Sequence, residues 1–339
     1  MEKKLNVGII GVGRIGKVHT LSIQHHLPQV TVKGVTDKFI EQAKEWAAVS
    51  GIETVYDTYQ EMLQDPEIDA VLICSSTDTH AEIAIAAAKA GKHIFCEKPV
   101  DLSVAKVRAV IEAAESAGVS LQIGFNRRFD HNFRKVKELI DAGTIGDLHI
   151  LKITSRDPAP PPIEYIDVSG GMFMDMTIHD FDMARFLTGS EVEEIYVAAA
   201  SIVDPAIGAA GDVDTAVITM RFKNGAICVI DNSRKAAYGY DQRVEAFGSK
   251  GKAEISNDLP STATWSTEDG VYSEKPLYFF LERYMDSFAE EMKQFADALI
   301  NGTATPVTGI DGLIPIRMGL AAKKSVMEGR PVKLSEIEG

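Results

Sequence analysis

Residues 5–10 (LNVGII) are almost uninterruptedly apolar and run into glycine, the pattern of a strand buried in a parallel sheet. Similar runs recur at 30–36 (VTVKGVT), 68–75 (IDAVLICS), 92–98 (KHIFCEK) and 119–124 (VSLQIG). Helically spaced stretches separate them, reaching to about Leu27, then at 39–50, at 81–91 with Gly91 as the stop, and at 103–117. Five strands alternating with helices predict right-handed βαβ units and a doubly wound parallel sheet, the Rossmann form of an α/β fold.

The rhythm changes after about residue 125. LHILKITS at 148–155 alternates, as a strand covered on one face does. DVDTAVITMRF at 212–222 and ICVIDNSR at 227–234 flank Lys223-Asn224-Gly225-Ala226, a hairpin signal. Ala216, Ile218, Met220 and Phe222 share one face there. A second hairpin is predicted around Ser249-Lys250-Gly251. These patterns predict a C-terminal α+β domain with a large open, mostly antiparallel sheet. A helix at about 277–300 carries Leu281, Tyr284, Met285, Phe288, Met292, Phe295 and Leu299 at helical spacing and ends at Asn301-Gly302. The expected division is 1–124 and 125–339, with the last helices packing back on the first domain.

A chain of 339 residues suits two domains and can bury its cores without staples. Its net charge of −14 argues against nucleic acid or an anionic membrane as the main partner. The three cysteines, Cys74, Cys96 and Cys228, are far apart and form no C-x-x-C. That excludes a disulfide framework and a cysteine-rich zinc site, and suits a reducing, cytoplasmic location. No apolar run reaches the ~20 residues a membrane span needs. The N-terminus superficially resembles a signal peptide, but Arg14 and recurrent glycines interrupt it, so it reads as mature protein.

Gly11-Val12-Gly13-Arg14-Ile15-Gly16 follows a strand and opens a helix. Gly11 permits the tight turn, Gly13 lets the backbone approach a pyrophosphate, and Gly16 allows close helix–strand packing. The N–H groups of Arg14 and Ile15 at the helix start complete an anion site. Asp37 ends the second strand about twenty residues on, where a carboxylate accepts from the adenosine ribose and repels a 2′-phosphate. NAD is therefore expected rather than NADP, with Lys38 next door able to soften the preference. Ser75, Ser76, Thr77 and His80 follow the third strand, either beside the cofactor or as the cap of the next helix.

Glu97 and Lys98, before Pro99, close the fourth strand at the crevice end. A lysine there can hold a substrate hydroxyl and stabilise developing negative charge. In the second half, Asp175, His179 and Asp182 stand at i, i+4 and i+7 on a predicted buried helix. A carboxylate one turn from a histidine suits a general base. A buried structural cluster fits the same residues. They could also hold a metal, but no further His or Cys stands at ligand spacing, and none is expected. Arg127, after the fifth strand, could clamp substrate hydroxyls or the cofactor or form a surface salt bridge; Asp157 begins a proline-stiffened loop; and Tyr238 and Tyr240, between two strands, could stack on a polyol or pack in the core.

Together the Gly11–Gly16 fingerprint, Cys96-Glu97-Lys98-Pro99, Gly124-Phe125-Asn126-Arg127-Arg128-Phe129-Asp130 and Asp175-x-x-x-His179-Asp180 resemble the glucose–fructose oxidoreductase/inositol dehydrogenase family over essentially the whole chain. The stretches at Arg127-Arg128, Ser155-Arg156-Asp157-Pro158 and Tyr238-Gly239-Tyr240-Asp241 resemble its inositol 2-dehydrogenase branch. The branch's basic-Asn-Pro element reads Arg156-Asp157-Pro158 here. The resemblance implies NAD-dependent oxidation of a secondary hydroxyl of a cyclic polyol, myo-inositol first. It implies His179 as base, Asp175 as orienting group and Lys98 on the reacting oxygen and nicotinamide ribose. Arg127, Asp157 and Tyr238 or Tyr240 would line the pocket, and the open sheet would pair subunits into a dimer or tetramer. Another inositol isomer, an aldose or a keto-sugar remains an alternative substrate. The family also includes non-catalytic NAD sensors, against which the intact Lys98, Asp175 and His179 speak.

Overall fold

The apolar run at residues 5–10 forms strand β1 (Leu5–Ile10), all of it buried except half-buried Asn6, in a computed structural model that describes residues 4–337. It begins the first of two units, which comprises residues 4–129 and 285–316. There follow α1 (Arg14–His26), β2 (Val30–Thr36), α2 (Ile40–Ser50), β3 (Thr54–Val55), α3 (Tyr59–Gln64), β4 (Ala70–Ile73), α4 (Thr77–Lys89), β5 (His93–Glu97), α5 (Val104–Ala117) and β6 (Leu121–Gly124). The strands pair in parallel in the order β3-β2-β1-β4-β5-β6. β4 and β6 are buried at every position, which is why they read as unbroken apolar runs. Strand order reverses between β1 and β4, so their carboxyl ends open a crevice at the switch point. The two-residue β3 is too short to leave a periodic signal. α4 starts at Thr77, before its apolar pattern does.

The second unit comprises residues 130–284 and 317–337. It contains α6 (His131–Asp141), β7 (Leu148–Arg156), α7 (Ile163–Ser169), α8 (Met172–Asp175), α9 (Thr177–Thr188), β8 (Val192–Ala200), α10 (Pro205–Ala209), β9 (Thr215–Phe222), β10 (Ile227–Ser233), β11 (Asp241–Gly248), β12 (Gly251–Ile255) and the exposed hairpin β13 (Thr264–Thr267) and β14 (Gly270–Ser273). Its seven-stranded sheet runs β12-β11-β7-β10-β9-β8-β15, where β15 is Val332–Lys333. Only β7 and β10 pair in parallel. The expected one-sided cover is present: Ala216, Ile218, Met220 and Phe222 are buried, while Val217, Thr219 and Arg221 are exposed.

The single helix expected at 277–300 is two, α11 (Phe280–Arg283) and α12 (Met285–Asn301), parted at Tyr284. Arg283 is pinned there: its guanidinium donates to both carboxylate oxygens of Asp130 (2.5 and 3.0 Å) and lies over the Tyr284 ring. α12 belongs to the first unit, where Met292, Phe295 and Ala296 join the core formed by Val7, Ile9, Leu72 and Phe95. A final helix, α13, spans Gly309–Glu328. No helix among the described residues is long and apolar enough to cross a membrane.

Candidate active site

In the first unit, the turn after β1 is shaped by its glycines. Gly11 has φ +97°, and a Cβ there would lie 2.6 Å from the Cys74 carbonyl carbon. A Cβ on Gly16 would lie 2.0 Å from the Gly11 carbonyl oxygen, so only glycine lets α1 approach this closely. Gly13 differs: a Cβ there meets nothing within 4 Å. It is the N-cap of α1 and supplies no side chain, and the first turn carries no acidic residue. Exposed Gly13 and Arg14 and half-buried Ile15 thus leave the helix start open to an anion. The Asp37 carboxylate is oriented by the Val12 N–H (2.7 Å) and the Phe39 N–H (2.8 Å), one on each oxygen. These features fit a dinucleotide with a free ribose 2′-hydroxyl.

The loop after β4 forms the other wall of the crevice. Ser75 and Thr77 are half-buried and Ser76 is exposed at the cap of α4; the Ser75 Oγ lies 2.7 Å from the Thr79 Oγ1. His80, in the first turn of α4, is buried, with its ring nitrogens 2.9 Å from the Pro99 carbonyl and 3.0 Å from the Ser75 carbonyl. It ties this loop to the Glu97-Lys98-Pro99 turn. Half-buried Lys98 precedes a cis peptide to Pro99. Glu97 is buried, and its Oε1 lies 2.6 Å from Nε2 of His19, a residue of α1 that the sequence reading passed over. Its Oε2 accepts from the Lys98 N–H at 3.3 Å. Arg127 is buried in a 3-10 turn (Asn126–Phe129), next to Arg128, which donates to Asp311 at 2.9 Å.

In the second unit, the single buried helix expected to carry Asp175, His179 and Asp182 is interrupted at Met176, leaving α8 and α9. Gly171, with φ +77°, begins α8; the Met172 N–H donates to the Asp212 carboxylate, which a Cβ on Gly171 would meet at 2.6 Å. From Gly171 to Ala184 every residue is buried except Asp175 and His179, which are half-buried. Asp182 and Asp180 are buried, and Asp180 accepts from Asn232 at 2.9 Å. Asp175 accepts from the Tyr165 hydroxyl (3.1 Å) and from Arg234 Nη1 (3.0 Å). The same Arg234 nitrogen lies 3.7 Å from an oxygen of Asp157. Asp157 and Asp175, far apart in sequence, are thus brought to one guanidinium.

The tyrosines of the loop before β11 part company. Tyr240 is buried, with ring edges on Phe279 and Tyr284. Tyr238 is exposed; its hydroxyl donates to Asp241 (2.5 Å) and accepts from Arg156 (3.1 Å). Partial desolvation of that hydroxyl and the Asp241 carboxylate push its pKa up. Among the described residues, no group of three or more His, Cys, Asp or Glu is arranged to hold a metal ion.

Residues 5–125 match the GFO/IDH/MocA oxidoreductase family with its NAD-binding Rossmann fold, and residues 133–254 match the GFO/IDH/MocA C-terminal domain. The chain belongs to this family. A myo-inositol 2-dehydrogenase from Thermotoga maritima is 51% identical to it over 335 residues, covering 99% of this chain and 100% of that protein. An inositol 2-dehydrogenase from Rhizobium meliloti is 43% identical over 329 residues, covering 97% of this chain and 98% of that protein. The solved structure of a myo-inositol dehydrogenase from Corynebacterium glutamicum has a TM-score of 0.93 at 37% identity, covering 98% of this chain and 99% of that one. Membership in the GFO/IDH/MocA family identifies the cofactor of the first unit as NAD. It also makes the chain an oxidoreductase. His19, Tyr165 and Arg234 are the site-building residues the sequence reading missed. Arg234 carried little signal, because it follows the polar Asp231-Asn232-Ser233 end of β10.

Proposed function

We propose that this chain is an NAD-dependent inositol 2-dehydrogenase that oxidises one secondary hydroxyl of myo-inositol to the ketone. The observation that carries the reading is the exposure pattern from Gly171 to Ala184, where Asp175 and His179 alone emerge from a buried run. Its substrate side is drawn from the inositol dehydrogenases to which the chain is similar.

When bound, NAD supplies the hydride acceptor. His179 takes the proton of the reacting hydroxyl, and Lys98 holds that oxygen as charge develops on it. Asp175, fixed by Tyr165 and Arg234, orients the substrate. Arg127 and Asp157 contribute further hydrogen bonds; Tyr238 does so from the loop surface, and Tyr240 supports that loop from the core. An uncharged polyol offers no ion pair, so discrimination must come from such directed bonds.

The open face of the second sheet carries Tyr196, Val217, Ile227, Ile150 and Phe247, all exposed, among paired charges such as Lys152 with Glu245. A second copy of the chain covers this face, giving a homo-oligomer. The buried, free cysteines support a cytoplasmic setting.

The test is NADH formation by the purified protein across inositols and aldoses, with NADP in parallel. Turnover on myo-inositol with NAD is expected. Turnover confined to another sugar replaces the substrate. Silence across the panel with NAD still bound overturns the enzyme reading in favour of a sensor.

A further inference from the structure

Arg234 is one of the largest fully buried side chains in the protein. A buried guanidinium that serves packing alone normally satisfies its five donors, because each one left unmatched costs desolvation. Here Nη1 points at Asp175 (3.0 Å) and Asp157 (3.7 Å), while Nε and Nη2 find no hydrogen-bond partner among the described residues. The guanidinium therefore serves one end only. That end faces two carboxylates that approach from different elements, Asp175 at the close of α8 and Asp157 just after β7. The backbone holds the arginine in place independently of its side chain: its N–H donates to the Asp214 carbonyl at 2.8 Å. The Asp157 backbone is anchored too, through its N–H to Ser233 (2.9 Å) and its carbonyl to Ala236 (2.7 Å).

We propose that Arg234 is a positioning residue that holds Asp175 and Asp157 as a paired set of acceptors for two hydroxyls of one polyol. The proposal rests on the polyol dehydrogenase reading above. Buried beneath the carboxylates, Arg234 touches neither substrate nor cofactor. It opposes their negative charges and fixes their directions, so that two hydroxyl donors on one ring meet acceptors already oriented. A substrate lacking one of those hydroxyls leaves a carboxylate unmatched, which makes the pair a discriminating device.

The experiment compares wild type, Arg234→Met and Arg234→Lys by steady-state kinetics on myo-inositol and a monodeoxy-inositol, with NAD affinity measured by calorimetry. For Arg234→Met, KM for the polyol should rise and kcat should fall, together costing about 10- to 100-fold in kcat/KM. NAD affinity should stay within about twofold, the preference for myo-inositol over the deoxy analogue should shrink, and Arg234→Lys should recover part of the loss. Unchanged kinetics in Arg234→Met, or a matching loss of NAD affinity, overturns the proposal. If Arg234→Met does not fold, Arg234→Lys and Asp157→Asn give the same polyol-selective readout. If wild type turns over no polyol, it is the functional reading that fails; crystal structures of wild type and Arg234→Lys then decide, because Asp175 and Asp157 with unchanged orientations overturn the positioning role.

Discussion

His19 Nε2 lies 2.6 Å from Glu97 Oε1, a contact between α1 and the end of β5 in which both side chains are buried. Phe95 and Phe288 present ring edges to the imidazole and keep the pair dry. The second Glu97 oxygen accepts from the Lys98 N–H, so the pair steadies the turn that carries the lysine. His19→Leu leaves Glu97 Oε1 buried without its partner, which should lower stability by about 1–3 kcal/mol. It should also lower kcat/KM about tenfold through Lys98. Thermal unfolding and steady-state kinetics check both; an unaltered melt would show that Glu97 finds another donor.

Gly13 and Gly16 sit three residues apart and should respond in opposite ways to the same substitution. Gly16→Ala drives a methyl into the Gly11 carbonyl oxygen, a backbone atom that cannot yield cheaply. It should destabilise the protein or prevent folding. Gly13→Ala adds a methyl to open space and should fold normally. Its methyl occupies the approach of a pyrophosphate, so NAD affinity should fall about tenfold or more, roughly 1.4 kcal/mol. Calorimetric titration with NAD on the folded variant decides; undiminished affinity would place the pyrophosphate elsewhere.

His179 is, with Asp175, one of the two residues between Gly171 and Ala184 that are not buried. Replacing a general base typically removes about 10²–10⁴ of the rate. His179→Ala should therefore lose most turnover while NAD binding stays near normal, because the nucleotide contacts belong to the other unit. Retention of near-normal kcat would end its assignment as the base.

The parallel sheet was legible because each strand is buried on both faces and announces itself as an apolar run, as β4 and β6 do. The glycine fingerprint was legible because local backbone geometry dictates it. Asp175 and His179 stood out by helical spacing even though the helix breaks at Met176. The partners that finish each site were not legible. His19 reads as one more residue of an amphipathic helix, and its pairing with Glu97 spans 78 positions. Arg234 meets Asp175 across 59 positions, at a distance no periodicity reports. Short elements escaped too: β3 has only two residues, and the hairpin of β13 and β14 is exposed, with nothing buried to pattern it.

Asp214 supports a final prediction, about pH. Its carboxylate accepts from the backbone N–H groups of Ile202 (2.9 Å), Val203 (2.8 Å) and Asp204 (2.9 Å) and from the Thr215 hydroxyl (3.0 Å). Burial alone would raise its pKa, but these donors outweigh it and hold the group below its ordinary value. In the unfolded chain the pKa returns to about 3.9. A group depressed on folding contributes stability above its unfolded pKa and loses it as pH falls through the folded one. Asp214→Asn should therefore destabilise the protein by about 2–3 kcal/mol at neutral pH. The difference should narrow once pH drops below about 4 and close beneath the folded pKa. Thermal melts of both proteins from neutral to acid pH read this directly. A gap that stays constant throughout would mean that the shape of the loop, and not the charge it cradles, holds the segment in place. The same carboxylate organises the backbone that receives the Arg234 N–H, so a loosened loop should also raise the KM for the polyol at neutral pH.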